Sequence, residues 1–213
     1  MASETNSRVK KLLAKPNHYQ NTQQFFEAWA SQKTAHGNTY VWKVRDIYGD
    51  IWRLLILDSE RVKPLVDPNG NVFYQVRRNR LFDLDTDIII PASEIIHDRF
   101  NCFYHPLVGL SPITACALSA SQGVSIQRNA NIFFANASVL SGGVTYQAIS
   151  VAATDAQLVE QLKLSGEIIC TAFSMPAFKV GLAPPPTGKI SDYNDIYYSD
   201  CLQHYLESME NLL

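Results

Sequence analysis

His97 and Asp98 are adjacent in the sequence, and Cys102 and His105 follow at a C-x-x-H spacing. A histidine next to a carboxylate can serve general acid–base chemistry. A Cys/His pair can supply half of a tetrahedral zinc site. The other half would have to come from His18, His36 or His204, and none of these forms a second pair at a fitting spacing. Two readings follow: an unrecognised hydrolase or metal centre using His97, Asp98 and His105, or histidines that are simply packed and hydrogen-bonded. The missing ligands favour the second.

Asp83, Asp85 and Asp87 alternate, which puts three carboxylates on one side of an extended segment. Such a group can chelate a hard cation. Their neighbours Leu81, Phe82, Leu84 and Ile88 favour a solvated edge or loop. Arg77-Arg78-Asn79-Arg80 reads as a solvated strand end, or as a basic cluster that pairs with Asp83 to Asp87 in cis or across a subunit boundary. Neither a G-x-x-x-x-G-K-[ST] nor a G-x-G-x-x-G loop is present, and no G-x-S-x-G elbow. The reading is therefore of a non-enzyme, with no catalytic, cofactor or metal residues.

The composition agrees with this. The chain of 213 residues is long enough for a sizeable core, and its charged content of 18% lies below the usual quarter, which suits surface meant for burial against other chains. A net charge of −2 argues against a free-standing nucleic-acid clamp. Four scattered cysteines, Cys102, Cys116, Cys170 and Cys201, read as reduced thiols. The start lacks the basic and apolar regions of a signal peptide, and no apolar run is long enough to span a bilayer, so the expectation is a soluble protein.

The elements that would carry these residues are legible in order. Asn21 to Gln24 form a capping box ahead of a helix bearing Phe25, Phe26 and Trp29, and Gly37 stands where a C′ glycine would end it. Thr39 to Val44 and Ile51 to Leu57 read as strands joined by a turn at Asp46 to Asp50. Val62 to Val66 and Val72 to Val76 flank Asp67-Pro68-Asn69-Gly70, a strong hairpin signal. Short apolar segments at Ile88–Ile90 and Ile95–Ile96 flank Pro91. Ser111-Pro112 opens a long helix to about Phe134 with a thin face rich in Ala, Ser and Gly. The helical pattern breaks at Asn136-Ala137-Ser138, and a short strand, Val144 to Ile149, follows. Thr154 and Gln157 form a second capping box, for a helix that ends before Met175-Pro176. A Pro-rich segment, Gly181 to Asp195, precedes a last helix from about Asp192 to Leu213. The expected class is α+β.

Four stretches, in order, resemble the portal (head–tail connector) proteins of tailed bacteriophages. Pro16-Asn17, Phe25-Phe26 and Gly37-Asn38-Thr39-Tyr40 resemble one family stretch. Ile89 to Phe100 is similar to its Pro-x-x-Glu/Asp-Ile-x-His pattern. Gly109 to Ile113 is close to its Gly-x-Ser-Pro-Ile helix start. Asp155 to Gly181 resembles its second long helix. In the family a segment of roughly forty residues separates the first long helix from a Gly-Gly-bearing strand. Here Ser138 abuts Val139, so the resemblance implies that most of the clip is missing and that both ends are short of the family's length.

The resemblance implies a wing-like α+β unit with an early helix over 1–105, a first stem-type helix over 106–138, a strand remnant at the deletion junction over 139–150, a second stem-type helix over 151–180, and a tunnel-type loop and helix over 181–213. It implies a ring, usually of twelve subunits, at one capsid vertex, through which double-stranded DNA is packaged and ejected without sequence specificity. The implied partners are a second copy of the chain, the terminase large subunit, and capsid and tail adaptor proteins, with no membrane. The setting would be the virion, and the host bacterial cytoplasm during assembly. Pro184, Pro185, Pro186, Thr187, Gly188, Lys189, Ser191 and Asp192 would face the channel. Ala117, Ala120, Ser121 and Val124 would pack against the neighbouring subunit. A small α+β interaction module without a ring is the alternative.

Overall fold

A computed structural model describes residues 2–82, 84–139, 151–185 and 187–213, with side chains given outside 2–7, 133–139, 151–157 and Ile190. The chain divides into one unit of Met1–Pro112 with Tyr205–Leu213, and a second of Ile113–His204.

The first unit is built on two antiparallel sheets. Strands β1 (Asn38–Arg45), β2 (Ile51–Leu57) and β6 (Ile95–Arg99) form one sheet in the order β2-β1-β6. Strands β3 (Val62–Val66), β4 (Val72–Val76) and β5 (Ile88–Pro91) form the other in the order β3-β4-β5. The turns are the expected ones: Gly49 and Gly70 adopt φ of 85° and 86°, and each donates its N–H to the aspartate three residues earlier, Asp46 and Asp67. Pro64 and Pro91 both lie on strands with one neighbour, where a missing N–H costs no ladder bond.

Strand alternation divides the core in two. Tyr40, Leu55, Leu57 and Ile95 pack against Val62, Tyr74, Val76 and Ile90 of the second sheet. The intervening residues Val41, Leu54 and Ile56 pack on the opposite side against Phe25 and Trp29 of helix α2 (Thr22–His36) and Met209 of helix α6 (Gln203–Leu212). The result is a sheet–sheet–helix arrangement within this unit. Helix α2 has the expected ends. Asn21 and Gln24 cap each other reciprocally at 2.9 and 3.1 Å, and Gly37 closes the helix with φ 72°.

Helix α1 (Ala2–Ala14) is an addition to the single early helix expected from the pattern. Its apolar side is a single turn, with Val9, Leu12 and Leu13 at i, i+3 and i+4. Leu12 and Leu13 find their partners in the helix-side core instead, so tertiary packing rather than local signal makes the element. Pro16 and Asn17 fix the chain after it. Leu54 donates its N–H to Pro16 O at 2.7 Å. Asn17 donates to Leu54 O at 3.0 Å and accepts from the amides of Tyr19 and Gln20.

The helix layer also buries an ion pair. Lys33 Nζ lies 2.8 Å from Asp98 Oδ1, with side chains 3% and 1% exposed. Trp29 Nε1 donates to Asp98 Oδ2 at 2.8 Å. Ser208 Oγ donates to Asp98 Oδ1 at 2.6 Å and accepts from Lys33 Nζ at 2.9 Å. Tyr205 lies under the ammonium at 5.4 Å and stacks on Phe100. Three elements that are remote in sequence (α2, β6 and α6) are thereby locked in one register.

In the second unit, helix α3 (Pro112–Val139) and helix α4 (Val151–Ala172) are followed by a 3-10 turn at Ala177–Val180 and by helix α5 (Ile190–Tyr197). A π turn, Tyr198–Leu202, joins α5 to α6. Helix α3 continues through Asn136–Val139, where a break was expected. Asn, Ala and Ser are weak breakers, and none of them is Gly or Pro. Thr154 is the fourth residue of α4 and not its N-cap, since Val151-Ala152-Ala153 already carry helical backbone. The expected strand at Val144–Ile149 lies outside the described residues. All four cysteines are free thiols.

Removing one partner of the Lys33–Asp98 pair leaves a buried charge uncompensated. Asp98→Ala is expected to cost about 3–5 kcal/mol in urea denaturation, and the double change Lys33→Met, Asp98→Asn much less than the sum of the two singles. Additive losses would mean that the pair is not coupled.

Candidate functional site

The residues that looked most like chemistry are kept apart by the pleat. His97 and Asp98 are consecutive on β6, so their side chains leave opposite faces of the sheet. Asp98 enters the helix layer described above. His97 enters the sheet–sheet layer, where Tyr40 stacks on its ring at 4.2 Å and Tyr74 meets it edge-on at 5.4 Å. His105 is exposed, and its Nδ1 accepts the amide of Leu107 at 3.0 Å. His97 and Asp98 therefore do not act together on one face of the sheet. Among the described residues, no group of three His, Cys, Asp or Glu side chains is placed to hold a metal ion.

Asp85 and Asp87 are exposed, and Asp83 lies outside the described residues. Arg78 reaches Asp87 through its backbone amide, at 3.0 Å. Among the described residues the cross-contact is thus part of a tight loop, closed by reciprocal backbone bonds between Asn79 and Leu84, with a backbone amide as the donor to Asp87.

His97 belongs to a joint formed by Asn38. The amide of Gly109 donates to Asn38 Oδ1 at 2.8 Å, and Asn38 Nδ2 donates to the carbonyls of His36 and Gly109. These backbone partners fix the orientation of the carboxamide. Its oxygen can only accept, so His97 Nε2, 3.1 Å away, carries the proton. His97 Nδ1 is then the acceptor for Tyr74 OH at 3.0 Å. The joint also brings backbones together. A Cβ on Gly37 would lie 2.6 Å from Gly109 O, and one on Gly109 would overlap Gly37 O. Phe100 donates to Gly37 O and Leu110 to Phe100 O, at 2.8 and 2.7 Å, while Ser111 Oγ donates to Thr34 O at 2.9 Å. Gly37, Asn38, Tyr40, His97, Gly109 and Ser111 come from three separate sequence motifs and meet here, around the residues from which α3 begins. Their convergence was not visible in the sequence.

The long helices carry the candidate contact surface. Positions 116, 119, 120, 123, 126 and 130 of α3 are covered at least in part, and Gly123 lies against Ser165 of α4. The adjoining stripe is open: Ala117 and Ser121 are exposed, and Ile113 and Val124 are 50% and 64% exposed, while Ala120 is half-buried at its edge. In the Pro-rich segment, Pro184, Pro185, Thr187, Gly188, Lys189, Ser191 and Asp192 are all exposed, and Pro186 is outside the described residues. The segment is held at both ends. Leu182 packs over Gly166, where a Cβ would come within 2.8 Å. Asp192 accepts from the Lys189 amide, and Tyr193 OH donates to Gly188 O at 3.1 Å.

Burial, together with the charge of Arg99 and only partly opposed by Asp98, lowers the His97 pKa to about 3. The unfolded value is about 6.5. As pH falls, the unfolded chain binds the proton first. The stabilisation is complete above about pH 6.5 and is lost as pH drops toward 3. Between pH 7 and pH 5 this group is expected to remove about 2 kcal/mol, and His97→Gln should flatten that part of a pH–denaturation profile. An unchanged slope in the variant would contradict a buried, neutral His97.

With this geometry in hand, the chain can be compared with known proteins. The profile of the phage portal protein family matches residues 1–142. The portal protein of Enterobacteria phage HK97 is 24% identical over 248 aligned residues, which take in 97% of this chain and 57% of that protein. The chain thus spans little more than half the length of this curated relative, and the alignment is about forty positions longer than the part of the chain it contains. Among solved structures, a chain from the neck of an empty gene transfer agent (GTA) particle, computed with C6 symmetry, superposes with a TM-score of 0.67 at 17% identity, covering 89% of this chain and 63% of that one. A chain from the virion of a native GTA particle gives 0.67 at 18% identity, with 90% and 65% covered. An HK97-family portal protein from Corynebacterium diphtheriae gives 0.54 at 12% identity, with 94% and 75% covered. These superpositions establish a shared fold, and the match over residues 1–142 establishes more: the chain belongs to the phage portal protein family.

Proposed function

We propose that this chain is the subunit of a portal ring at one capsid vertex, around an axial opening through which double-stranded DNA is packaged and ejected. The observation that carries the reading is the open stripe Ile113, Ala117, Ser121 and Val124 on α3. Small and apolar side chains at helical spacing, left uncovered by the chain's own packing, suit close contact with a second copy. A ring closes through such head-to-tail contacts between different patches. In this reading residues 1–105 are the wing, 106–138 and 151–180 the two stem helices, 139–150 the junction, and 181–213 the tunnel loop and helix. The alignment with the HK97 portal protein is about forty positions longer than the part of this chain it contains, which agrees with a clip absent from the chain.

The loop from Pro184 to Asp192 is assigned to the channel. Lys189 and Asp192 balance each other, so its lining is close to neutral. A lining with many Lys or Arg would grip phosphates and stall a moving duplex. The ring has no need of its own ATP site if a terminase large subunit docked on it supplies the energy. Capsid and tail adaptor proteins complete the partners, in the virion and earlier in the host cytoplasm. No helix among the described residues is long and apolar enough to cross a membrane.

Each subunit entering a ring must overcome several kcal/mol of lost association entropy, and an absent clip removes one tier of contact. The chain is therefore expected to be a monomer or a weak oligomer at micromolar concentration in light scattering. A family-length segment restored between Ser138 and Val139 should shift it to large rings, and Val124→Glu in that longer form should abolish them. Monomers from both forms would contradict a ring-forming surface. The chain alone should also bind duplex DNA weakly and without sequence preference at physiological salt, and submicromolar binding in a gel-shift titration would contradict a neutral channel.

A further inference from the structure

Helix α1 and the β1–β2 hairpin enclose a cleft of about 490 Å³ within the first unit. Its charged lining is mainly cationic: Arg8 and Lys11 of α1, Lys15 just past the helix end and Arg45 of the hairpin, with Asp50 as the one carboxylate among them. Its floor is apolar, formed by Val9, Leu12, Ile51 and Trp52. Trp52 is 54% exposed, and Arg53 covers one face of its ring at 4.4 Å. The turn of the same hairpin leaves Ile47 and Tyr48 91% and 86% exposed.

Two of the four cations are already answered. Arg8 pairs with Asp50 at 3.3 Å, and Arg45 with Glu94 at 2.8 Å. Lys11 and Lys15 are exposed and, among the described residues, have no carboxylate within ion-pair distance. No acidic residue occurs between Thr5 and Phe26 to offset them. Lys15 follows the last residue of α1, and its amide still donates to Lys11 O at 3.3 Å, so the two lysines stand about one helical turn apart. That is the spacing of two carboxylates at i and i+4 on a facing helix.

We infer that this cleft docks an acidic, amphipathic helical segment of a partner protein, whose carboxylates meet Lys11 and Lys15 and whose apolar side chains cover Trp52, Ile51 and Leu12. Charge complementarity alone would also admit a nucleic acid. The floor decides against it, because a phosphate backbone has nothing to bury there, and two uncompensated lysines fall well short of the six to ten phosphate contacts typical of tight duplex binding. The site stands on its own geometry and does not depend on ring assembly.

The test uses a synthetic amphipathic helical peptide with Glu at i, i+4 beside a Leu face, and measures binding by fluorescence anisotropy. The controls are a peptide of the same composition with scrambled order and a duplex oligonucleotide. The expected result is binding of the ordered peptide that weakens about tenfold or more with Lys11→Glu/Lys15→Glu, weakens similarly with Trp52→Ala, and falls as salt rises. The circular dichroism of the charge-reversed variant should be unchanged, since both lysines are exposed. Equal binding of the scrambled peptide, tighter binding of the duplex through the same lysines, no binding of the ordered peptide, or loss of binding only through unfolding would each overturn the proposal.

Discussion

The fold turns on one carboxamide. Asn38 Oδ1 accepts both the amide of Gly109 and the proton of His97 Nε2, while Nδ2 returns two bonds to backbone carbonyls. To reach these partners, the chain leaving α2 must touch the chain entering α3 with nothing between the two backbones, and only glycine at 37 and 109 permits that. The same contact sets the tautomer of His97, and so the direction of the bond from Tyr74. A polar network this deep is stable because every member is satisfied. It also specifies the register of β6 against β1, since a one-residue slip would exchange His97 for Asp98 across the sheet.

That exchange shows how the two halves of the core are kept distinct. One face of the central sheet holds a neutral hydrogen-bonded ring between two tyrosines. The other holds a charged pair closed by Trp29 and Ser208. Both are polar groups buried with their partners. Both resemble catalytic material in the sequence, and both are spent on hydrogen-bond partners within the fold. They hold the Tyr205–Leu212 part of helix α6 and the Gly109–Ser111 segment against the same small sheet.

Much of the frame was legible in the residues. The Asn21–Gln24 box, the glycine stop at 37, both hairpin turns and the Ser111-Pro112 helix start follow from local chemistry that tertiary structure does not override. The four-part family pattern led to the portal assignment. What could not be read depends on long-range contact. Helix α1 offers only one apolar turn, Val9, Leu12 and Leu13, at the end of an otherwise polar stretch. Lys33 reads as an ordinary helix lysine until Asp98 and Ser208 arrive from 65 and 175 positions away. The last turn of α3 past Asn136 and the first turn of α4 before Thr154 are masked in the sequence by Asn, Ser and Thr, residue types that also end helices. The open stripe of α3 could be named in advance as small and apolar, but its exposure is a property of the folded chain.

In a ring-forming reading, these features divide the labour. The glycine joint and the buried pair give a subunit that folds on its own, and the α3 stripe and the Pro-rich loop are left for what lies outside it. The most direct measurement is electron cryomicroscopy of the assembled form, with the position of the Pro184–Asp192 loop traced relative to the symmetry axis. The account predicts a closed ring with an axial opening that admits duplex DNA, the loop lining it and α3 of one subunit against the next. A ring without an axial opening, or one with this loop on its outer rim, would contradict it.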